Sequence, residues 1–113
     1  MIAEPSPQTV LDVLIRARAR LAAGWCQHSG KMGDNYCSVH SLYDECTSWD
    51  DGTDDKKAIH LSDQAKECVY VTLRADLDTR LVDLVSWNDS KSRTQEEVLD
   101  LFDRTIERVK KNI

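Results

Sequence analysis

The 113-residue chain has no apolar run approaching the roughly 20 residues that cross a bilayer, which excludes a membrane-spanning helix. It also lacks a basic surplus. Its 15 Lys and Arg stand against 20 Asp and Glu, for a net charge of -5. That balance argues against direct binding to a nucleic-acid duplex, which draws on a basic surface. Cysteine is sparse, four in 113 residues, well below the roughly 8 to 10% of disulfide scaffolds; reduced thiols are the expectation, and no pairing can be deduced. The N-terminal MIAEPSPQTV has no basic segment leading into a hydrophobic one, so a cytoplasmic protein is expected. Glycine-rich phosphate loops, a nucleophile elbow, internal repeats and low-complexity tracts are absent as well.

What is present supports one globular domain over residues 1–113. With 41% hydrophobic and 31% charged residues, the chain has the composition of an ordinary folded protein, long enough for a single core. Val10, Leu14, Ala17 and Leu21 recur at helical spacing, widened by Leu11, Val13 and Ile15. Ser6 and Pro7 suit the start of that helix, and Gly24 suits a left-handed residue after its end. Val39, Leu42, Tyr43, Cys46 and Trp49 predict a second helix over 38–49. The acidic DDGTDD after it reads as a turn, because a calcium loop would need Thr47 and Trp49 as ligands. Ser62 can cap a third helix with Ala65, Cys68, Val69, Thr72 and Leu73 on its apolar side. A bend and a shorter helix are expected next, with a strand or irregular segment near 69–73 as the alternative. Val98, Leu101, Phe102, Ile106 and Val109 form the clearest stripe, with Glu96 and Glu97 near its positive end and Lys110 and Lys111 near its negative end. The expected fold is an all-α bundle of four to five helices.

Two short segments hold the candidate site. In SWNDSKSRTQEEV, Thr94 and Glu97 make a capping box. Trp87, Asn88, Asp89 and Arg93 lie just outside it. They can close a turn, with Arg93 paired to Asp89, or they can form a ligand site in which helix amides and the arginine fork hold an anion while Trp87 stacks and Asn88 reads a polar edge. In WCQH, Trp25 and Gln27 add a second aromatic and a second amide. Cys26, His28, Cys37 and His40 are weak candidates for zinc, since the first pair is spaced more tightly than in structural zinc sites. Cys37 and His40 lie one helical turn apart, but nothing marks an oxyanion hole beside them.

In order, AAGWCQ, YCSVHSLYDE, VSWND and SRTQEEVLDLFDRTI resemble a family of small uncharacterised bacterial and phage-encoded proteins, over roughly residues 11–106. The matching positions are Trp25, Cys26, Gln27, Cys37, Trp87, Asn88, Asp89, Arg93 and Thr94; His28 and His40 are not part of the pattern. The resemblance implies a motif set and no activity. The leading expectation is a non-enzymatic, phage-encoded binding protein that counteracts a host system by holding a protein partner or a small anionic, nucleotide-like ligand, without a cofactor. An enzyme acting on such a ligand through Asp89, Arg93 and Cys26 is the second reading, and a structural zinc module the third.

Overall fold

The computed structural model describes residues 4–28, 31–33, 35–38, 41, 61–77 and 83–113. Four helices and one small hairpin are defined among them. Helix α1 spans Pro7–Ala23; strands β1 (Lys31–Met32) and β2 (Asn35–Tyr36) pair antiparallel; helix α2 spans Asp63–Arg74, α3 Leu84–Asn88 and α4 Gln95–Lys110. The protein is all-α in class, as its apolar periodicities require, with a hairpin of two two-residue strands as the exception.

Each helix starts where a side chain satisfies the amides that the first turn leaves unpaired. The Ser6 hydroxyl accepts from Thr9 N–H at 3.2 Å with Pro7 beginning α1, and Ser62 accepts from Ala65 N–H at 3.2 Å to start α2. Asp83 accepts from Ser86 N–H at 2.8 Å to start α3. Thr94 and Glu97 form the full capping box of α4. Helix α1 does not end in a left-handed glycine. Gly24 is extended, at φ -178°, because its carbonyl accepts Tyr36 N–H at 2.9 Å and the chain passes directly into a parallel bridge between Trp25 and Tyr36.

The core forms where α1 and α4 pack along each other and α2 closes one side. Val13, Leu14, Ala17 and Leu21 of α1 meet Val98, Leu101 and Phe102 of α4, all fully buried. Side chains of this size contribute about 1.5 to 3 kcal/mol each on burial. Ile15, expected on the apolar face, is exposed at the edge of the α1 stripe. Helix α2 buries only Ala65, Val69 and Leu73, a narrow i, i+4, i+8 line. Cys68 falls off that line and is exposed, against the expectation that it faces the core. Residues 69–73 are helical, which removes the strand alternative. The expected second helix begins at Ser38, where Ser41 N–H donates to the Cys37 carbonyl at 3.0 Å. The rest of it, with Cys46 and the acidic turn, lies outside the described residues.

The bend after α2 is fixed from the side. Asp76 accepts from Thr105 Oγ at 2.7 Å and from Arg108 Nη2 at 2.8 Å, while Arg108 also donates to the Thr72 carbonyl. Burial pushes the Asp76 carboxyl up, but the hydrogen bonds from Arg108 and Thr105 and the charges of Arg108 and Arg104 outweigh it, leaving the group below the usual carboxylate range.

Candidate functional site

The two motif segments, more than sixty residues apart in sequence, meet at one end of the bundle. The short helix α3 carries Asn88 into a fully buried position between the WCQH segment and Ser38. Its amide oxygen accepts from Trp25 Nε1 at 2.8 Å, Ser38 N–H at 3.1 Å and Ser38 Oγ at 2.7 Å. Its Nδ2 donates to the Cys26 carbonyl at 3.1 Å and to Asp89 Oδ1 at 3.1 Å. Asn88 therefore closes no local turn and reads no external polar edge; buried polar atoms need partners, and Asn88 is the partner for three elements at once.

Gln27 and Asp89 complete this clasp. Gln27 Nε2 donates to the carbonyls of Asn88 at 3.0 Å and Ser90 at 2.8 Å. Asp89 Oδ1 accepts from His28 N–H at 2.8 Å, which holds His28 in the left-handed region at φ 63°. A non-glycine residue adopts that conformation only against a steric cost, and here the hydrogen bond to Asp89 offsets it. Below the clasp, Tyr36 receives Arg20 Nη1 on its hydroxyl at 3.0 Å.

Trp87, Arg93 and Thr94 form a separate arrangement on the outer side. Arg93 does not pair with Asp89. Its guanidinium lies 3.9 Å from the Trp87 ring centroid, Nε donates to the Trp87 carbonyl at 3.0 Å, and Nη1 donates to Glu97 at 2.8 Å. Glu97 also accepts from Thr94 N–H at 3.1 Å. That backbone hydrogen bond leads the influences that hold the Glu97 carboxyl below its usual range; burial opposes it, and the Thr94 hydroxyl and Arg93 add to the lowering. The capping carboxylate thus occupies the place at the helix N-terminus where an external anion was expected. Around this pair opens a surface pocket of about 260 Å³ lined by Trp87, Arg93, Thr94, Glu96, Glu97, Asp100 and Arg104.

Of the seven expected ligand-binding residues, Trp25, Gln27, Asn88 and Asp89 bind one another's segments, and Trp87, Arg93 and Thr94 line the pocket. A family model described as a family of unknown function, DUF6197, matches residues 5–108. The chain belongs to this family. The DUF6197 match includes both motif segments and the pocket, and no curated protein or solved structure matches the chain.

Sequence reasoning missed Ser38, whose hydroxyl and amide both reach Asn88, and the contribution of Glu96, Asp100 and Arg104 to the pocket. For the last three the signal was present, since residues 93, 96, 97, 100 and 104 recur at i, i+3, i+4, i+7 and i+11 along one helix face. Cys26, proposed with Asp89 and Arg93 as an enzymatic group, turns its thiol to the Asn35 carbonyl at 3.6 Å instead. Among the described residues no three His, Cys, Asp or Glu side chains gather to hold a metal ion, and His40 lies outside them.

Proposed function

We propose that this chain is a non-enzymatic binding protein that holds a protein partner at the Trp87 and Arg93 corner, with the clasp as the scaffold that fixes the corner in place. The carrying observation is the state of Arg93. Stacking and two hydrogen bonds immobilise it, its side chain is only 19% exposed, and its Nη2 has no hydrogen-bond partner among the described residues. A guanidinium already ordered in this way loses little side-chain entropy on binding, which is the property of arginine anchors at interfaces.

The rim favours a protein over a small anion. Three carboxylates, Glu96, Glu97 and Asp100, share the pocket with two guanidiniums, Arg93 and Arg104, so a phosphate would meet net negative charge. A partner surface bearing a carboxylate for Arg93 and a basic side chain for Glu96 or Asp100 matches both signs. The resemblance to phage-borne proteins makes a host protein the class of partner to test first.

Native mass spectrometry of the protein purified from host extract is the test. A retained polypeptide, lost on Arg93→Ala while the fold stays intact, supports the proposal. A retained nucleotide or other small anion, with a thermal shift on adding it back, replaces it with the small-ligand reading.

A further inference from the structure

The turn that carries Arg93 to Trp87 is built on one carbonyl. Arg93 N–H closes it by donating to the Ser90 carbonyl at 2.9 Å, and that same oxygen accepts Gln27 Nε2 at 2.8 Å, from 63 residues earlier in the chain. The other acceptor of Gln27 Nε2 is the Asn88 carbonyl at 3.0 Å, so both protons of the amide are used. The Asn88 carbonyl ends α3 and the Ser90 carbonyl lies just beyond it, where a helix leaves its acceptors unsatisfied. Gln27 supplies a donor to each. The side chains of Asn88 and Asp89 bond instead to the 25–28 segment and to Ser38. Gln27 is therefore the clasp side chain that reaches the turn.

From this shared carbonyl we infer that Gln27 is the positioning residue of the Arg93 corner, an inference that rests on the reading of that corner as the partner-binding site. Arg93 is held at both ends. Its backbone hangs from Ser90, and its side chain is fixed by Nε donating to the Trp87 carbonyl at 3.0 Å and by a guanidinium 3.9 Å from the Trp87 ring centroid. With Gln27 in place the Ser90 carbonyl keeps one orientation, and the guanidinium stands over the ring before a partner arrives. Without those two donors the Ser90 carbonyl turns to solvent, the 90–93 turn loosens, and ordering Arg93 is left to the binding step, where it opposes affinity. Gln27 does not line the pocket, so it acts through Arg93 and not by contact with the partner.

Heteronuclear NMR of the free protein tests this without a partner, so the outcome is independent of whether a polypeptide is retained at the corner. The Arg93 Nε proton, beside the Trp87 ring and bonded to the Trp87 carbonyl, should give a ring-shifted signal protected from exchange. Gln27→Met removes both donors at nearly the same side-chain length. It is expected to move that signal toward the position of a free arginine and to speed its exchange about three- to tenfold, as losing the worth of one hydrogen bond does. The Trp25 indole signal, held by Asn88, should persist. Gln27→Glu, which sets carboxylate oxygens against two carbonyls, should act in the same way and carries the test if the methionine variant does not fold. Val109→Ala, a core truncation near the far end of α4, should leave the Arg93 signal in place. In Arg93→Met the Gln27 side-chain amide protons should stay protected, which sets the order of dependence. An unmoved Arg93 signal in a folded Gln27 variant, loss of the Trp25 signal along with it, an equal change in Val109→Ala, or loss of Gln27 protection in Arg93→Met would each overturn the inference.

Discussion

Trp25 donates its indole N–H to the Asn88 side-chain oxygen at 2.8 Å, across 63 residues of sequence. Three donors converge on that oxygen inside the protein, so removing it leaves all three without an acceptor. Each buried donor so abandoned costs about 1 to 3 kcal/mol. Asn88→Leu is therefore expected to lower the unfolding free energy by about 3 to 5 kcal/mol in urea denaturation, near the top of the range for single substitutions. Trp25→Phe, which abandons no other donor, should cost less than Asn88→Leu.

The bend after α2 gives a pH dependence. Asp76 has a folded pKa below the value near about 3.9 that it takes in the unfolded chain. Its contribution is therefore fully present above about pH 4 and is lost as pH falls through the lower folded value. Asp83 and Glu97 are shifted in the same direction by their capping hydrogen bonds. The measurement is the difference between wild type and Asp76→Asn: the variant should be less stable at neutral pH, and the gap should narrow progressively in acid. A gap that stays constant from pH 7 to pH 2 would contradict this origin.

Arg93 is expected to matter for stability as well as for binding. Arg93→Ala removes the stacking on Trp87 and the bond to the Trp87 carbonyl, and should cost about 1 to 2 kcal/mol. Arg93→Lys should recover only part of this, since an ammonium cannot stack and donate as the planar fork does. Thr94→Ala should cost about 1 kcal/mol through the cap alone. Thermal denaturation of the three variants distinguishes these contributions.

Thiol labelling and core truncation check the packing. Cys68 should react with a small reagent in the folded protein well before Cys26 and Cys37, the reverse of the order that its helical spacing suggested. Phe102→Ala should cost about 3 to 5 kcal/mol by leaving a cavity between α1 and α4.

Elements governed by local rules were legible before the structure. The Ser6, Ser62 and Thr94 caps, the α1 and α4 stripes and the bend into a short helix each depend on residues within a turn of one another. The exposure of Cys68 was not legible, because a helix packed on one narrow line hides fewer apolar residues than its sequence offers. Nor was the extended Gly24, whose conformation is set by Tyr36 from another segment. The site was half legible for the same reason. Both motif segments stood out by residue type, but that Asn88 joins them to each other depends on contacts no local spacing encodes; the Arg93–Glu97 pair, four residues apart, was open to a local reading that was passed over for Asp89.

The binding proposal is tested most directly by reversing charge on its rim without disturbing its scaffold. Glu96 is exposed on the first turn of α4, so Glu96→Lys should leave circular dichroism unchanged and lower stability by only about 0.3 to 1 kcal/mol, the worth of a charge at a helix terminus. Calorimetric titration of the purified partner should show it binding Glu96→Lys about tenfold or more weakly than wild type, as reversal of a complementary interface charge does, with Arg18→Ala binding as wild type. Equal affinity for wild type and Glu96→Lys, together with full affinity for Arg93→Ala, would place the interface elsewhere and contradict the proposal.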